Sequence, residues 1–188
     1  MTETMPAAGP TYTSYLQLDT LLSCQVPLSD AHDELLFITI HKASELWIKL
    51  CLHELEAART AIIEDRLPPA FKMMARVARV QQQLIQSWEA LATITPADYT
   101  RMRDRLGGSS GFQSVQYRLL EYMMGNKNAA MLGAHEGQPA IQAVLAEALG
   151  RTSLYDEALR LLARRGFAVP ADRLERDWTQ PYEASQAV

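Results

Sequence analysis

An all-α helical bundle is the architecture expected of this chain, on two observations. Two long segments carry apolar residues at steps of three and four, and no strand-length segment alternates apolar with polar. At 188 residues, 48% of them hydrophobic, the chain has enough apolar material for one domain with a sizeable core, spanning 1–188.

The elements follow in order. From about Ala31 to Ile63, the residues Leu36, Ile40, Ala43, Trp47, Cys51, Leu55, Ala58 and Ile62 form one buried stripe, with Ser29 or Asp30 placed to cap its start. Leu67-Pro68-Pro69 breaks it and opens a second helix, from about Pro69 to Ala92, whose stripe is Met73, Val77, Val80, Leu84, Trp88 and Leu91. The two should pack antiparallel. Thr95-Pro96-Ala97-Asp98 supplies a cap, a first-turn proline and an acid for a short helix ending before Gly107-Gly108-Ser109-Ser110-Gly111. Another helix runs from near Phe112 to Gly125-Asn126-Lys127-Asn128, where glycine and asparagine tolerate a left-handed terminus. Amphipathic helices follow over about 139–149 and 153–165, the latter capped by Ser153 and closed by Gly166. Residues 171–188 read as the start of a further element.

Composition excludes several classes of function. With 18 basic and 22 acidic residues the net charge is −4, and no Lys/Arg cluster interleaved with aromatics could track a nucleic-acid backbone. No apolar run reaches membrane-spanning length and no secretory signal opens the chain, so a soluble, cytoplasmic protein is expected. Cys24 and Cys51 have no metal-binding spacing and read as reduced thiols. None of the four histidines, His32, His41, His53 and His135, has a glutamate three residues before it, which argues against a carboxylate-bridged di-iron site. HExxH, Walker A, GxGxxG and GxSxG are absent as well.

The candidate chemistry lies in two helices and a loop. Phe37, His41 and Glu45 are spaced to share one helix face, which places an aromatic wall beside an imidazole; a core histidine bonded to a backbone carbonyl is the alternative. Tyr99 and Arg103, four apart, can converge on one carboxylate, the fork of the guanidinium and the phenol each donating. They could equally be a surface pair, with Arg103 bonded to Asp98 or Asp104. The Gly107–Gly111 loop can offer Ser109 or Ser110 to a ligand, or simply connect. Trp47 and Trp88 are placed on core stripes.

The combination is more specific than its parts. Tyr12-Thr13-Ser14-Tyr15-Leu16-Gln17-Leu18-Asp19 and the run from His32 to Leu50 (HDELLFITIHKASELWIKL) resemble the haem-dependent tryptophan 2,3-dioxygenase family. Thr95-Pro96-Ala97-Asp98-Tyr99, Arg103-Asp104, Gly107 to Arg118 (GGSSGFQSVQYR), Gly125-Asn126-Lys127-Asn128 and Arg176-Asp177-Trp178-Thr179 continue the likeness from Tyr12 to Thr179.

This resemblance implies a tryptophan/indoleamine dioxygenase-like helical fold and a reaction in which O2 is inserted across the indole C2–C3 bond of L-tryptophan, giving N-formylkynurenine at a haem b. It implies that the segment Phe37, Ile38, Thr39, Ile40 and His41 binds substrate. Phe37 would pack on the indole, and His41, the catalytic candidate, would lie on the distal side of the haem bonded to the indole N–H. Tyr99 and Arg103 would hold the carboxylate, Ser110 would lie near haem and substrate, and Trp88 would belong to the haem pocket. Tyr12 and Tyr15 would complete the site of a neighbouring subunit in a homotetramer. Lys42 stands where glutamine is usual, and Gly108 where proline is common. The family's proximal haem histidine lies in a region after the one matched here, so no metal ligand is expected within 1–188, which reads as an N-terminal two-thirds. Two other readings stay open: a haem enzyme of the same superfamily with another aromatic substrate, and a haem-free helical binding or assembly module.

Overall fold

A computed structural model describes residues 9–181 and contains, among them, nine α-helices and no strand. The expectation for Ala171 to Val188 is met only in part: a four-residue helix, Ala171–Leu174, is present, and residues 182–188 lie outside the described residues. None of the described helices is long and apolar enough to cross a membrane.

The first helices among the described residues are two that no long apolar stripe announces, α1 (Tyr12–Leu16) and α2 (Leu18–Ser23), hinged at Gln17 in the left-handed region with φ 51°. Neither buries a residue. They lead to α3 (Glu34–Ile63), which begins three residues later than its pattern suggests. Neither Ser29 nor Asp30 caps it. Asp33 stands at the cap position without a side-chain bond, and Glu34 reaches back instead, its carboxylate accepting from the Leu28 amide (2.7 Å), the Ser29 amide (2.7 Å) and the Ser29 hydroxyl (2.5 Å).

The Ser29 hydroxyl first, and the Leu28 amide next, hold the buried Glu34 carboxyl below its usual range against the opposing effect of burial. A carboxyl whose folded pKa is depressed stabilises the fold above its unfolded pKa, and the benefit is lost as pH falls through the lowered folded value. Urea unfolding of the wild type between about pH 5 and pH 3 should therefore weaken more steeply with acidification than that of Glu34→Gln. Equal slopes would remove this role.

Helix α4 (Leu67–Leu91) returns along α3 after a turn in which Asp65 has φ 60°. Arg165 donates to the Asp65 carboxylate at 2.6 and 3.0 Å and holds that turn to the far end of the bundle. Between α3 and α4 lie Ile48, Cys51, Leu55, Ala58, Ala61 and Ile62 against Ala70, Val77 and Val80. Three alanines at this seam allow the backbones to approach closely. Burial pushes the Cys51 thiol up, as for an inert core cysteine.

The expected stripe is displaced at two tryptophans. Ile48 is buried where Trp47 was expected, and Trp47 is 37% exposed. Trp88 is 66% exposed. Both neighbouring positions of a helix stripe satisfy a three-or-four step, and the core takes the smaller Ile48. Trp88 lies beyond the buried part of α4, where the stripe faces a groove instead of the core.

Thr95 caps α5 (Pro96–Leu106) as expected, its hydroxyl oxygen accepting from the Asp98 amide at 3.2 Å. A single 3-10 turn, Gly111–Gln113, leads into α6 (Val115–Met124), which ends at Gly125 with φ 100°. A Cβ at Gly125 would meet the Ser153 hydroxyl at 3.3 Å, so both backbone and space select glycine there. A longer 3-10 segment, Ala129–His135, precedes α7 (Pro139–Gly150) and α8 (Leu154–Arg164), and α9 (Ala171–Leu174) closes the described chain.

Lys127 secures this half of the molecule. Its buried ammonium donates to the carbonyls of Ala148 (3.0 Å), Leu149 (2.9 Å) and Arg151 (2.7 Å), gathered at the C-terminal end of α7. Burial pushes its pKa down to about 8, while the nearby Asp156 carboxylate opposes that shift.

Candidate active site

Helices α3 and α5 bring Tyr99 to the Phe37–His41 pair. The ring centroids of Phe37 and His41 are 4.1 Å apart, and Tyr99 stands 6.3 Å from Phe37. The His41 Nδ1 lies 2.7 Å from the Phe37 carbonyl, one turn back on the same helix. A carbonyl only accepts, so Nδ1 carries a proton, which in the neutral tautomer leaves the lone pair on Nε2. The two alternatives for His41 thus coexist: one nitrogen satisfies the helix backbone and the other is open to a ligand. Nε2 has no hydrogen-bond partner among the described residues.

Arg103 follows Tyr99 by one turn of α5 and is exposed. Its Nη1 donates to the Gly107 carbonyl at 2.6 Å, and not to Asp98 or Asp104. Asp98 is 4.0 Å from Arg101 instead. The bond to Gly107 ties the guanidinium to the start of the Gly107–Gly111 loop, with Gly107 at φ 56°. Ser110 caps the 3-10 turn, its hydroxyl oxygen receiving the Phe112 amide at 3.3 Å, while Gln113 reaches back to the Ser110 amide.

The remaining expected residues are spread around this centre. Ile40 lines a pocket of about 130 Å³ together with His41. Ile38 is half-buried; Thr39 is exposed, about 200° around the helix from Phe37. Trp88 forms part of that pocket's wall and of an adjoining groove of about 500 Å³ with Leu84, Ile85, Tyr117, Leu120 and Met124. Tyr12 and Tyr15 are each 75% exposed on α1. Lys42, next to His41 in sequence, donates its ammonium to the Cys24 carbonyl at the end of α2. Its charge is therefore spent on the N-terminal segment.

Glu45, Ser44, Ser87, Ser114 and Tyr117 also line the smaller pocket, and only Glu45 had been singled out by spacing. The serine hydroxyls are engaged locally: Ser44 donates to the Ile40 carbonyl at 2.8 Å, Ser87 to that of Gln83 at 2.7 Å, and Ser114 caps α6. Among the described residues, no group of three or more His, Cys, Asp or Glu side chains is arranged to hold a metal ion.

Known proteins match this chain over nearly its whole length. The family profile described as Tryptophan 2,3-dioxygenase matches residues 2–188. A tryptophan 2,3-dioxygenase of Erythrobacter litoralis is 57% identical over 182 residues, covering 97% of this chain and 69% of that protein. Proteins of the same name from a Polaromonas species and from Cupriavidus necator are each 59% identical. Those alignments cover 94% and 95% of this chain but only 60% and 62% of the relatives, so the chain spans roughly two-thirds or less of their length. A profile match of this extent establishes that the chain belongs to the tryptophan 2,3-dioxygenase family.

Proposed function

We propose that this chain forms the distal, substrate-binding half of a haem-dependent dioxygenase that opens the indole C2–C3 bond of L-tryptophan with O2, giving N-formylkynurenine. The observation that carries the reading is the His41 ring, fixed by its Nδ1 bond, with Nε2 without a partner among the described residues, 4.1 Å from the Phe37 ring. An indole N–H is a donor on a flat apolar ring. It matches an acceptor nitrogen beside an aromatic wall.

In this reading, Phe37 packs on the indole and His41 Nε2 accepts its N–H. A hydrogen bond suffices to orient the ring, and no proton need leave the indole. Tyr99 and Arg103 hold the substrate carboxylate. Ile40, Ile48 and Leu91 keep water from the ring, so the protein's contribution is orientation and desolvation.

A haem is a flat apolar plate, and the Trp88–Tyr117 groove is an exposed apolar face suited to one. Trp88, Leu84, Ile85 and Met124 would hold it. No histidine other than His41 lines either cavity among the described residues, so they assign no proximal ligand. When bound, ferrous haem supplies the site for O2 and the electrons for its activation. In the same proposal Tyr12 and Tyr15 complete a neighbouring subunit's site within a homotetramer in the cytoplasm. Exposure of both rings supports their having a partner.

Incubation of the haem-loaded protein, with this chain joined to the region that supplies the proximal half, with L-tryptophan and O2, followed by product analysis, tests the proposal. N-formylkynurenine carrying both atoms of labelled O2 is expected. A product from another indole or phenol with none from tryptophan would reassign the substrate, and tryptophan binding without any Soret absorbance after haem addition would favour a haem-free module.

A further inference from the structure

Gln116 makes a contact that the proposed mechanism does not use. Its side-chain amide crosses from the first turn of α6 to α3, where Nε2 donates to the Glu45 carboxylate (2.7 Å) and to the Glu45 backbone carbonyl (3.1 Å). Glu45 lies one turn after His41 on the same face and lines the same pocket. Gln116 sits between Ser114 and Tyr117, which line the facing wall.

We infer that Gln116 is a positioning residue: its amide, locked on Glu45, fixes the register of α6 against α3 and so holds the Tyr117 wall of the pocket opposite His41. This inference rests on the proposed binding of tryptophan at His41. Apolar contact sets how far apart two helices lie, and one such layer is present one turn deeper, where Leu120 joins the core that contains Ile48. Such contact resists sliding only weakly, whereas hydrogen bonds are directional. A single amide bonded to both the side chain and the backbone of one residue fixes that residue's position along the helix.

The chemistry of the pair supports a positioning role. Glu45 is a half-buried carboxylate in a mainly apolar pocket, and no cation pairs with it among the described residues. A neutral amide is its partner. Gln116 thus holds one carboxylate oxygen toward α6 without bringing a second charge to the pocket.

The test compares four variants of the full chain: Gln116→Leu, Gln116→Glu, the double exchange Glu45→Gln/Gln116→Glu, and Arg165→Ala as a control at the far end of the bundle. For Gln116→Leu, the Kd for L-tryptophan should rise about tenfold, and amide exchange should accelerate at residues 115–118. Gln116→Glu should be at least as damaging, since it sets two carboxylates together. The double exchange should recover much of the affinity, because the side-chain bond re-forms with donor and acceptor reversed, while the bond to the Glu45 carbonyl stays lost. Arg165→Ala should leave the Kd unchanged at a comparable loss of thermal stability. An unchanged Kd in Gln116→Leu, or a double exchange no better than Gln116→Glu, would overturn the inference. If the wild type binds no tryptophan, the functional reading fails on its own, and the exchange rates at 115–118, with or without recovery in the double exchange, decide whether the tie exists.

Discussion

Arg103→Ala is expected to weaken L-tryptophan binding by about 2 to 5 kcal/mol, roughly 30-fold to several thousand-fold, because it leaves the substrate carboxylate unpaired in a partly desolvated site. The fold should hardly register the change. Arg103 is exposed, and its bond to the Gly107 carbonyl is the one side-chain hydrogen bond it makes among the described residues. Loss of affinity with an unchanged unfolding midpoint would separate binding from stability. Tryptamine, which lacks the carboxylate, supplies the internal control: its weak binding should be the same with or without Arg103. Tyr99→Phe removes a single donor to the carboxylate and should cost about 1.5 to 3 kcal/mol. Calorimetric titration of the three proteins checks all of this, and unchanged tryptophan affinity in Arg103→Ala would remove Arg103 from the site.

The largest effect on folding is expected from Asp156→Ala. Asp156 is fully buried in the first turn of α8, where one carboxylate oxygen accepts from the Ser153 amide and hydroxyl, each at 2.7 Å. The other accepts from Arg176 Nε (3.1 Å) and Nη2 (2.7 Å), tying the segment after α9 to the bundle. Arg176 and Arg160 then stack on the Trp178 ring. Removing the carboxylate breaks its half of the capping box with Ser153, leaves the half-buried guanidinium without its anionic partner and loosens that segment. A loss of about 3 to 5 kcal/mol follows for breaking a buried pair from one side, a fall in Tm of roughly 6–20 °C for a chain of this size. Thermal unfolding followed by circular dichroism measures it. A change below 1 kcal/mol would show that the pair's desolvation cost cancels its attraction.

The part of this architecture legible in the sequence is the part that local rules control. Thr95 and Ser153 cap where their side chains can reach an amide two or three residues on, Gly125 and Gly166 end helices at positive φ, and the long stripes mark α3 and α4. What was not legible depends on contacts distant in sequence. Glu34 replaces Ser29 and Asp30 at the start of α3 because its carboxylate folds back on a loop, a choice that no capping pattern encodes. α1 and α2 escape detection because, at five and six residues, Tyr12/Tyr15/Leu16 and Leu18/Leu21/Leu22 are too short a run to establish a sustained period.

The site shows the same division. Phe37, His41, Tyr99 and Arg103 were legible from four-residue spacing and the family likeness, since each pair lies on one helix. The meeting of the two helices was not, nor was the Gln116–Glu45 contact, whose partners are 71 residues apart. Trp47 and Trp88 were misread for a related reason: periodicity identifies the apolar side of a helix but not whether protein or an open groove lies against it.

The central claim is that His41 Nε2 accepts the indole N–H of tryptophan. It is tested most directly by comparing the affinities of L-tryptophan and its benzothiophene isostere, in which sulfur replaces the N–H, for the wild type and for His41→Ala. The wild type should prefer tryptophan by about tenfold, and His41→Ala should bind the two nearly equally, the difference being the energy of that one hydrogen bond. The same preference in both proteins would contradict it.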